Sequence, residues 1–154
     1  MTMGDSWSYV ASDNYKSTRT LVHMLCDVVA KGGSLLLNVG PDADGQIPAP
    51  ALLRMKEIGE WMAENSSSIY STRPLYPYAQ GDWRMTQSKD GKTTYMIYLV
   101  PEGSSGKLSV ELPKVEGKVK SCKVFGEGKV KGSSTLVIPD AKKRVAVVVE
   151  VKKK

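Results

Sequence analysis

The residues best suited to chemistry in this 154-residue chain lie in its first loop, Gly4-Asp5-Ser6-Trp7-Ser8-Tyr9. Asp5, Trp7 and Tyr9 are found there together, shortly before a predicted helix. An aromatic ring at the mouth of an α/β fold suits the apolar face of a sugar, while nearby polar groups meet its hydroxyls. The alternative is that the aromatic side chains only pack the loop against the protein. Residue types alone leave both interpretations open.

Two further groups of polar residues could carry chemistry. Asp42 and Asp44 flank a turn and could bind calcium or act as acids, although Asp-Gly turns are usually structural. His23 is the only histidine, and it lies in a helical pattern without a recognisable partner for a triad or a metal cluster. We expect it to be a packed or interfacial residue. The sequence has no dinucleotide-binding, P-loop or Gly-x-Ser-x-Gly motif, so we predict no cofactor and no metal.

A short buried strand is predicted before Asn38. Leu35, Leu36 and Leu37 form an apolar run without alternation, which is typical of a strand covered on both faces in a parallel α/β sheet. In such folds the groups at the C-terminal ends of strands line the ligand site. Asn38 stands at that end, followed by a Gly-Pro break.

Helices are predicted on both sides of this strand. Apolar residues at spacings of three, four and seven predict a helix over 13–31, with Asp13 or Ser17 as its N-cap. A second helix is predicted to begin near Pro50 and to end near residues 65–68. Helix, strand and helix make one turn of an α/β winding. One strand is not a sheet, so its neighbours must come from elsewhere.

From about residue 71 the pattern changes to that of an all-β domain. Strand-like runs rich in Val, Ile, Tyr and Thr occur at 93–100, 107–112, 118–125, 134–138 and 144–151. Their spacing, with no helix between them, predicts an antiparallel sandwich or a compact barrel. We therefore predict an α+β chain with a first domain over 1–72 and a β-domain over 73–154.

Composition and charge exclude several classes of protein. Hydrophobic content of 41% and charged content of 25% are ordinary for a globular protein, and no apolar segment is long enough to span a membrane. Residues 1–70 carry 5 Lys/Arg and 8 Asp/Glu, whereas residues 71–154 carry 17 and 8, net charges of −3 and +9. A basic half could bind a polyanion, but few aromatic residues are interleaved for base stacking, so nucleic acid is disfavoured. Cys26 and Cys122 are expected to be buried free thiols.

Several motifs occur in an order that carries a family resemblance. They are Ser6-Trp7-Ser8-Tyr9, Tyr15-Lys16-Ser17, Lys31-Gly32-Gly33, Leu35-Leu36-Leu37-Asn38-Val39-Gly40-Pro41, Ile58-Gly59-Glu60-Trp61 and Ile69-Tyr70-Ser71-Thr72-Arg73-Pro74. As a set they closely resemble the C-terminal part of family 29 α-L-fucosidases. The β-rich remainder agrees in type with the β-sandwich that follows the catalytic barrel in that family.

The resemblance implies the final α/β units of a (β/α)8-like barrel followed by an antiparallel β-sandwich. It implies a retaining glycosidase that removes terminal α-L-fucose from glycans, using two carboxylates about 5 Å apart. In the family both catalytic carboxylates precede the Trp-x-Tyr loop. We therefore expect no catalytic residue in this chain and an inactive polypeptide on its own, and do not assign that role to Asp5, Asp13, Asp42 or Asp44.

The resemblance also implies site residues and a partner. Trp7 takes the aromatic position that lines the fucose pocket. Tyr9 and Asn38 are weaker substrate-binding candidates, because Tyr9 could pack the loop and Asn38 could fix the backbone. The family commonly has glycine around Ser8, so the loop is expected to differ slightly here. The partner is a fucosylated glycan, bound through the full-length enzyme. A periplasmic or secreted parent is implied, although the chain carries no targeting signal of its own.

One other class of function remains, a non-catalytic carbohydrate-binding or interaction module on the β-sandwich. Its candidate stacking residues are Trp83, Tyr76, Tyr78, Tyr95 and Tyr98, with Trp83 the best single candidate unless it packs beneath a turn.

A stability consequence follows from the barrel interpretation. The leucine run 35–37 and the stripe of Leu52, Met55 and Met62 need a substitute cover. We expect self-association, packing of the two helices on the β-domain, or a loosely held N-terminal half.

Overall fold

The computed structural model describes residues 1–132 and 134–154. Helices α1 (Thr18–Ala30) and α2 (Ala49–Asn65) come first, and a short 3-10 helix, Ser66–Ser68, follows α2. The strands are β1 (Thr72–Gln80), β2 (Trp83–Ser88), β3 (Thr93–Leu99), β4 (Leu108–Glu111), β5 (Val119–Val124), β6 (Lys129–Lys131), β7 (Thr135–Ile138) and β8 (Ala146–Lys153). A second 3-10 helix, Ala141–Lys143, precedes β8.

The ends of α1 follow from local chemistry. Ser17 is its N-cap, and the Ser17 hydroxyl accepts a hydrogen bond from the Thr20 N–H at 3.1 Å. The helix stops where Gly32 adopts a φ of 81°, which favours glycine. Neither helix of the described chain is long and apolar enough to cross a membrane.

The strands form two antiparallel sheets that enclose one core. The five-stranded sheet has the order β1-β2-β3-β8-β5, and the three-stranded sheet has the order β4-β7-β6. Met85, Met96 and Tyr98 of the first sheet pack with Leu136 and Ile138 of the second. The predicted α+β architecture with an antiparallel β-sandwich is therefore confirmed.

The two helices cover the other face of the five-stranded sheet. Val22 and Cys26 of α1 and Trp61 of α2 pack with Ile97 and Val148, all of them buried. One of the three arrangements expected for the helices, packing on the β-domain, is thus present. The central strand β3 consequently has helices on one face and sandwich core on the other.

The leucine run before Asn38 differs from its prediction. It forms no strand, and its only bridge within the described residues pairs Asn38 with Thr2 in parallel register. Leu36 is 79% exposed, whereas Leu37 packs in a small core with Met3. The prediction that both faces are covered is wrong for the described chain, because nothing in it packs on the outer face.

Strands β1, β2 and β6 are not among the predicted runs. Pro74 and Pro77 interrupt β1, and a proline cannot supply an N–H to a sheet ladder. The strand tolerates them because it lies at the sheet edge, where β2 is its one partner among the described strands, with a register shift between Pro74 and Ala79. Strand β6 has only 3 residues, too few for a visible alternation.

Candidate functional site

The first loop presents aromatic side chains to solvent. Trp7 is 67% exposed and Tyr9 is 44% exposed. The two other tryptophans, Trp61 and Trp83, are buried. Trp7 therefore does not pack the loop down. Its ring is free on the outside of the protein, which is the geometry needed to stack on another molecule.

The segment from Asn38 to Gly40 holds the middle of this loop. The Asn38 side-chain amide donates a hydrogen bond to the Trp7 carbonyl oxygen at 2.9 Å. A Cβ at Gly40 would lie 2.6 Å from both the Ser8 carbonyl carbon and the Tyr9 nitrogen. The close approach of the two backbones thus requires glycine at position 40. Asn38 fixes the main chain of Trp7 and leaves the ring free.

Asp13 closes the start of the same loop. Its carboxylate accepts hydrogen bonds from the main-chain N–H groups of Asp5 at 3.1 Å, Ser6 at 3.4 Å and Asn14 at 2.9 Å. A Cβ at Gly4 would meet the Asp13 carboxylate, at 2.1 Å from its Oδ2. Asp13 is therefore a loop-closing residue, and of the two predicted N-caps only Ser17 caps α1.

The N-terminal residues are anchored in a separate small core. The Met3 N–H donates to the Asn38 carbonyl oxygen at 2.9 Å, and the Met3 side chain packs with Leu21 of α1. Both the Lys16 ammonium and the Thr2 hydroxyl donate to the Gly4 carbonyl oxygen, at 2.8 and 2.6 Å. The loop thus begins from a fixed base.

The Asp42–Asp44 turn is closed on itself. Asp42 Oδ1 accepts the N–H groups of Asp44 at 3.0 Å and Gln46 at 2.8 Å. This is the structural role expected for such a turn. In the part of the chain that the structure describes, no three His, Cys, Asp or Glu side chains are grouped to hold a metal ion.

His23 joins α1 to the segment before β8. Its Nε2 lies 2.7 Å from the Val145 carbonyl oxygen. Burial lowers the pKa of His23, and this outweighs the opposite effect of the Val145 carbonyl. The nearby Arg19 and Arg84 also lower the pKa. The prediction of an interfacial histidine is confirmed.

The two cysteines differ in environment. Cys26 is buried, and desolvation raises the pKa of its thiol to about 12. Cys122 is exposed on β5, which lies at the edge of the five-stranded sheet. The expectation of a buried thiol is therefore wrong for Cys122.

Most of the aromatic residues proposed for glycan stacking on the sandwich are buried. Trp83 is 6% exposed and lies with its ring centroid 5.0 Å from that of Tyr98. The packing alternative is thus confirmed for Trp83, and Tyr95 is also buried. Tyr76 and Tyr78 on β1 are 88% and 40% exposed.

An apolar surface is left open on α2. Leu52, Leu53 and Met55 are 52%, 49% and 50% exposed, while Met62 packs against the core shared with the sheet. Exposed apolar residues at helical spacing, together with Leu36, are typical of a surface that another part of a protein covers.

Sequence reasoning missed the residues that shape the loop. The roles of Asp13 and Gly40 depend on contacts between segments that are far apart in the chain. The Gly-Pro pair after Asn38 signalled a break in the strand, but it carried no sign that the Trp7 loop lies against it.

Comparison with known proteins identifies the kind of fold. The family model described as alpha-L-fucosidase matches residues 1–67. An alpha-L-fucosidase of Dictyostelium discoideum is 34% identical over 106 residues, which cover 66% of this chain and 23% of that protein. Plasma alpha-L-fucosidase of Pongo abelii is 31% identical over 132 residues, covering 80% of this chain and 28% of that protein.

Solved structures match the whole chain. Alpha-L-fucosidase isoenzyme 1 from Paenibacillus thiaminolyticus superposes with a TM-score of 0.78 at 27% identity, covering 100% of this chain and 39% of that one. The Thermotoga maritima alpha-fucosidase in complex with fucose gives a TM-score of 0.72 at 28% identity, covering 98% and 38%. The chain thus spans well under half the length of these relatives.

The two helices, the exposed-tryptophan loop and the sandwich together match a portion of these solved α-L-fucosidase structures. More narrowly, the chain corresponds to the C-terminal part of the α-L-fucosidases of glycoside hydrolase family 29.

Proposed function

We propose that this chain is a portion of a retaining α-L-fucosidase that hydrolyses terminal α-L-fucose from glycans, and that it supplies Trp7 to the sugar pocket. The observation that carries the proposal is the Trp7 loop. Its ring is 67% exposed while its carbonyl oxygen is held by Asn38. Relatives named as α-L-fucosidases, one of them solved with fucose, support the choice of sugar.

In this proposal the three candidate residues have different roles. Trp7 contacts the apolar face of fucose, where stacking replaces ring–water contact with ring–sugar contact. Asn38 is a positioning residue, since its amide is already used on the Trp7 carbonyl oxygen. Tyr9 lies on the same loop and is 44% exposed, and in this proposal its hydroxyl hydrogen-bonds to a sugar hydroxyl.

The catalytic carboxylates lie outside these residues in this proposal. A retaining glycosidase needs two carboxyl groups about 5 Å apart, one as nucleophile and one as acid/base. Asp13 and Asp42 are both engaged with main-chain N–H groups, which supports a structural role for each. We accordingly propose that residues 1–72 end a catalytic barrel and that residues 73–154 form the sandwich attached to it.

In this proposal, the exposed apolar residues of α2 and Leu36, which precedes that helix, face the rest of the barrel. Leu36, Leu52 and Met55, each at least 50% exposed, would be covered there. The isolated chain would instead tend to self-associate through this surface. Light scattering of the purified chain over a range of concentrations measures that tendency, and a Leu52→Glu variant should reduce it.

Hydrolysis of an aryl α-L-fucoside by the purified 154-residue chain tests the claim of inactivity. We expect no turnover above the uncatalysed rate. Measurable turnover that disappears on changing Asp5, Asp13, Asp42 or Asp44 to the corresponding amide would overturn it.

A chimera tests the role of Trp7. Residues 1–154 replace the matching C-terminal part of the Thermotoga maritima enzyme, and the activity of the chimera on the aryl fucoside is measured. Trp7→Ala should lower kcat/KM by about tenfold, since aromatic contacts contribute roughly 1.5 kcal/mol. Tyr70→Ala, at an exposed aromatic residue outside the loop, is the matched control and should leave kcat/KM unchanged. Equal losses in both variants would contradict a specific role for Trp7.

A further inference from the structure

Arg54 of α2 reaches back to the segment that precedes α1. Its Nε donates a hydrogen bond to the Lys16 carbonyl oxygen at 3.0 Å, across 38 residues of chain. The first helical bond of α1 goes to the carbonyl oxygen of its N-cap, Ser17, so the Lys16 carbonyl lies outside the helical ladder and can accept from another element. The Arg54 side chain is only 26% exposed. A partly buried donor on α2 thus holds the main chain just before α1.

A second contact fixes the orientation of the Arg54 guanidinium group. Its Nη1 lies 3.3 Å from a carboxylate oxygen of Glu57, one turn further along α2. The same oxygen accepts a hydrogen bond from the Thr18 hydroxyl, in the first turn of α1. The planar guanidinium group presents its donors in one rigid arrangement, which the compact ammonium group of a lysine does not reproduce. Arg54 therefore fixes where Lys16 lies relative to α2.

Lys16 in turn bonds to the start of the Trp7 loop at two points. Its main-chain N–H donates to the Met3 carbonyl oxygen at 3.0 Å, and its ammonium group donates to the Gly4 carbonyl oxygen at 2.8 Å. The Met3 N–H donates to the Asn38 carbonyl oxygen, and the Asn38 side-chain amide holds the Trp7 carbonyl oxygen. A displacement of Lys16 therefore reaches the backbone of Trp7 along a continuous series of hydrogen bonds.

We propose that Arg54 is a positioning residue for the sugar pocket, which places the Trp7 ring by holding Lys16. The inference rests on the proposed contact between Trp7 and fucose and adds a residue to it. Arg54 itself touches no sugar and acts only through the loop. A small displacement of a group that contacts substrate weakens binding, because dispersion contacts fall off within about 1 Å. Without the Arg54 guanidinium group, Trp7 is still present but is held less well.

¹⁹F NMR of the chain labelled with 5-fluorotryptophan tests the positioning without any sugar. Trp7, Trp61 and Trp83 give one signal each, and the Trp7→Phe variant assigns the first of them. Arg54→Met keeps an unbranched apolar side chain and removes the guanidinium group, so it should shift or broaden the Trp7 signal and leave the Trp83 signal unchanged. Arg54→Lys retains one donor and should restore the parent signal in part. An unchanged Trp7 signal in Arg54→Met would overturn the proposal.

Thr18→Val separates positioning from a general loosening between the helices. It removes the hydroxyl bond to Glu57 and leaves the bond between Arg54 and Lys16 in place. Thr18→Val and Arg54→Met should both unfold at a lower urea concentration than the parent, since each loses a hydrogen bond that joins α2 to the start of α1. Only Arg54→Met should change the Trp7 signal. An equal change in Thr18→Val would overturn the assignment.

Kinetics of the Thermotoga maritima chimera connect the position of the ring to the sugar. Arg54→Met should raise KM for the aryl fucoside about threefold, a part of the effect of losing the ring itself, and should leave kcat unchanged, because a contact made equally in ground and transition states acts on KM alone. Lys56→Met, at an exposed residue of α2, is the matched control and should change neither constant. A lowered kcat with unchanged KM in Arg54→Met would overturn the proposal.

A double variant of the chimera decides whether Arg54 acts through Trp7. In the Trp7→Ala background, Arg54→Met should cause no further loss of kcat/KM, since the ring that it positions is already gone. Additive losses would overturn this inference alone, as would a loss confined to Trp7→Ala. Unchanged kcat/KM in Trp7→Ala would instead overturn the proposed contact with fucose, and this inference with it.

Discussion

The side-chain amide of Asn38 donates a 2.9 Å hydrogen bond to the carbonyl oxygen of Trp7, across 31 residues of chain. The bond joins the end of the leucine run to the centre of the first loop. It holds the backbone of Trp7 and leaves its ring 67% exposed. The backbone that carries the exposed ring is therefore held in place, which favours binding by pre-organisation of the loop.

Removal of this bond should loosen the loop. Asn38→Ala is expected to lower the free energy of unfolding by about 1 kcal/mol and to lower the fluorescence anisotropy of Trp7. The anisotropy is measured in variants with Trp61→Phe and Trp83→Phe, so that Trp7 alone reports. Asn14→Ala, whose amide makes only a 3.5 Å contact with Asp5, is the control. Unchanged anisotropy in Asn38→Ala would show that other contacts hold the loop.

A methyl group at Gly40 should displace the same loop. Its Cβ would lie 2.6 Å from the Ser8 carbonyl carbon and the Tyr9 nitrogen, both of them backbone atoms that cannot rotate away. Gly40→Ala is expected to destabilise the protein by about 1–3 kcal/mol in urea unfolding.

The control for this substitution is Gly59→Ala in α2, where nothing lies within 4 Å of the added Cβ. Alanine favours helix over glycine by about 1 kcal/mol, so this variant should be at least as stable as the parent. Similar destabilisation of both variants would count against a close approach at Gly40.

The ion pair between Asp27 and Arg84 should make stability depend on acid pH. Arg84 Nε lies 2.5 Å from Asp27 Oδ1 and links α1 to β2. Partial burial raises the pKa of Asp27, but hydrogen bonds from Lys31 and Arg84 outweigh this and bring the pKa below its ordinary value of 3.8. The pair therefore stabilises the fold fully above pH 3.8, and its contribution is lost as the pH falls through the lowered pKa.

Urea unfolding of Asp27→Asn and the parent at several pH values tests this linkage. The variant should be less stable by about 1 kcal/mol at pH 7, and the difference should shrink below pH 3.8. Lys56→Gln, which removes a largely exposed helix pair with Glu60, should change stability little at any pH. A constant difference between Asp27→Asn and the parent across the range would contradict the assignment.

The two thiols should react in sequence. Cys122 is exposed, whereas Cys26 is buried and its pKa is raised to about 12. A disulfide reagent at pH 8 is expected to label one thiol in the native protein and the second only after unfolding. Mass spectrometry of the Cys122→Ser variant is the control, and it should show no native labelling. Rapid labelling of Cys26 in that variant would mean that α1 opens readily.

Local patterns in the sequence predicted the secondary structure where each element follows from its own residues. The cap at Ser17, the second helix and most sandwich strands depend on periodicity and turn chemistry within a few residues. Strand β1 escaped prediction because its prolines oppose strand formation locally. Only its place at the sheet edge, next to β2, removes that conflict.

In the candidate site, too, the sequence identified residues, whereas only the structure showed their contacts. Trp7 and Asn38 could be named from the sequence, because residue type and motif order carried the resemblance. Neither their hydrogen bond nor the approach of Gly40 to the loop could be predicted, since both join segments about 30 residues apart. Asp13 shows the limit clearly, because a helix cap and a loop closure need the same residue type.

The sequence by itself determined the α+β class, the two helices, the antiparallel sandwich and the family resemblance. Each depends on short-range periodicity or on motifs read in order. Only the tertiary structure decided that Trp83 is buried while Trp7 and Tyr76 are exposed, and that the Thr94 hydroxyl has no hydrogen-bond partner among residues 1–132 and 134–154. Exposure and hydrogen-bond pairing are set by which distant segments meet, and that is a property of the packed chain.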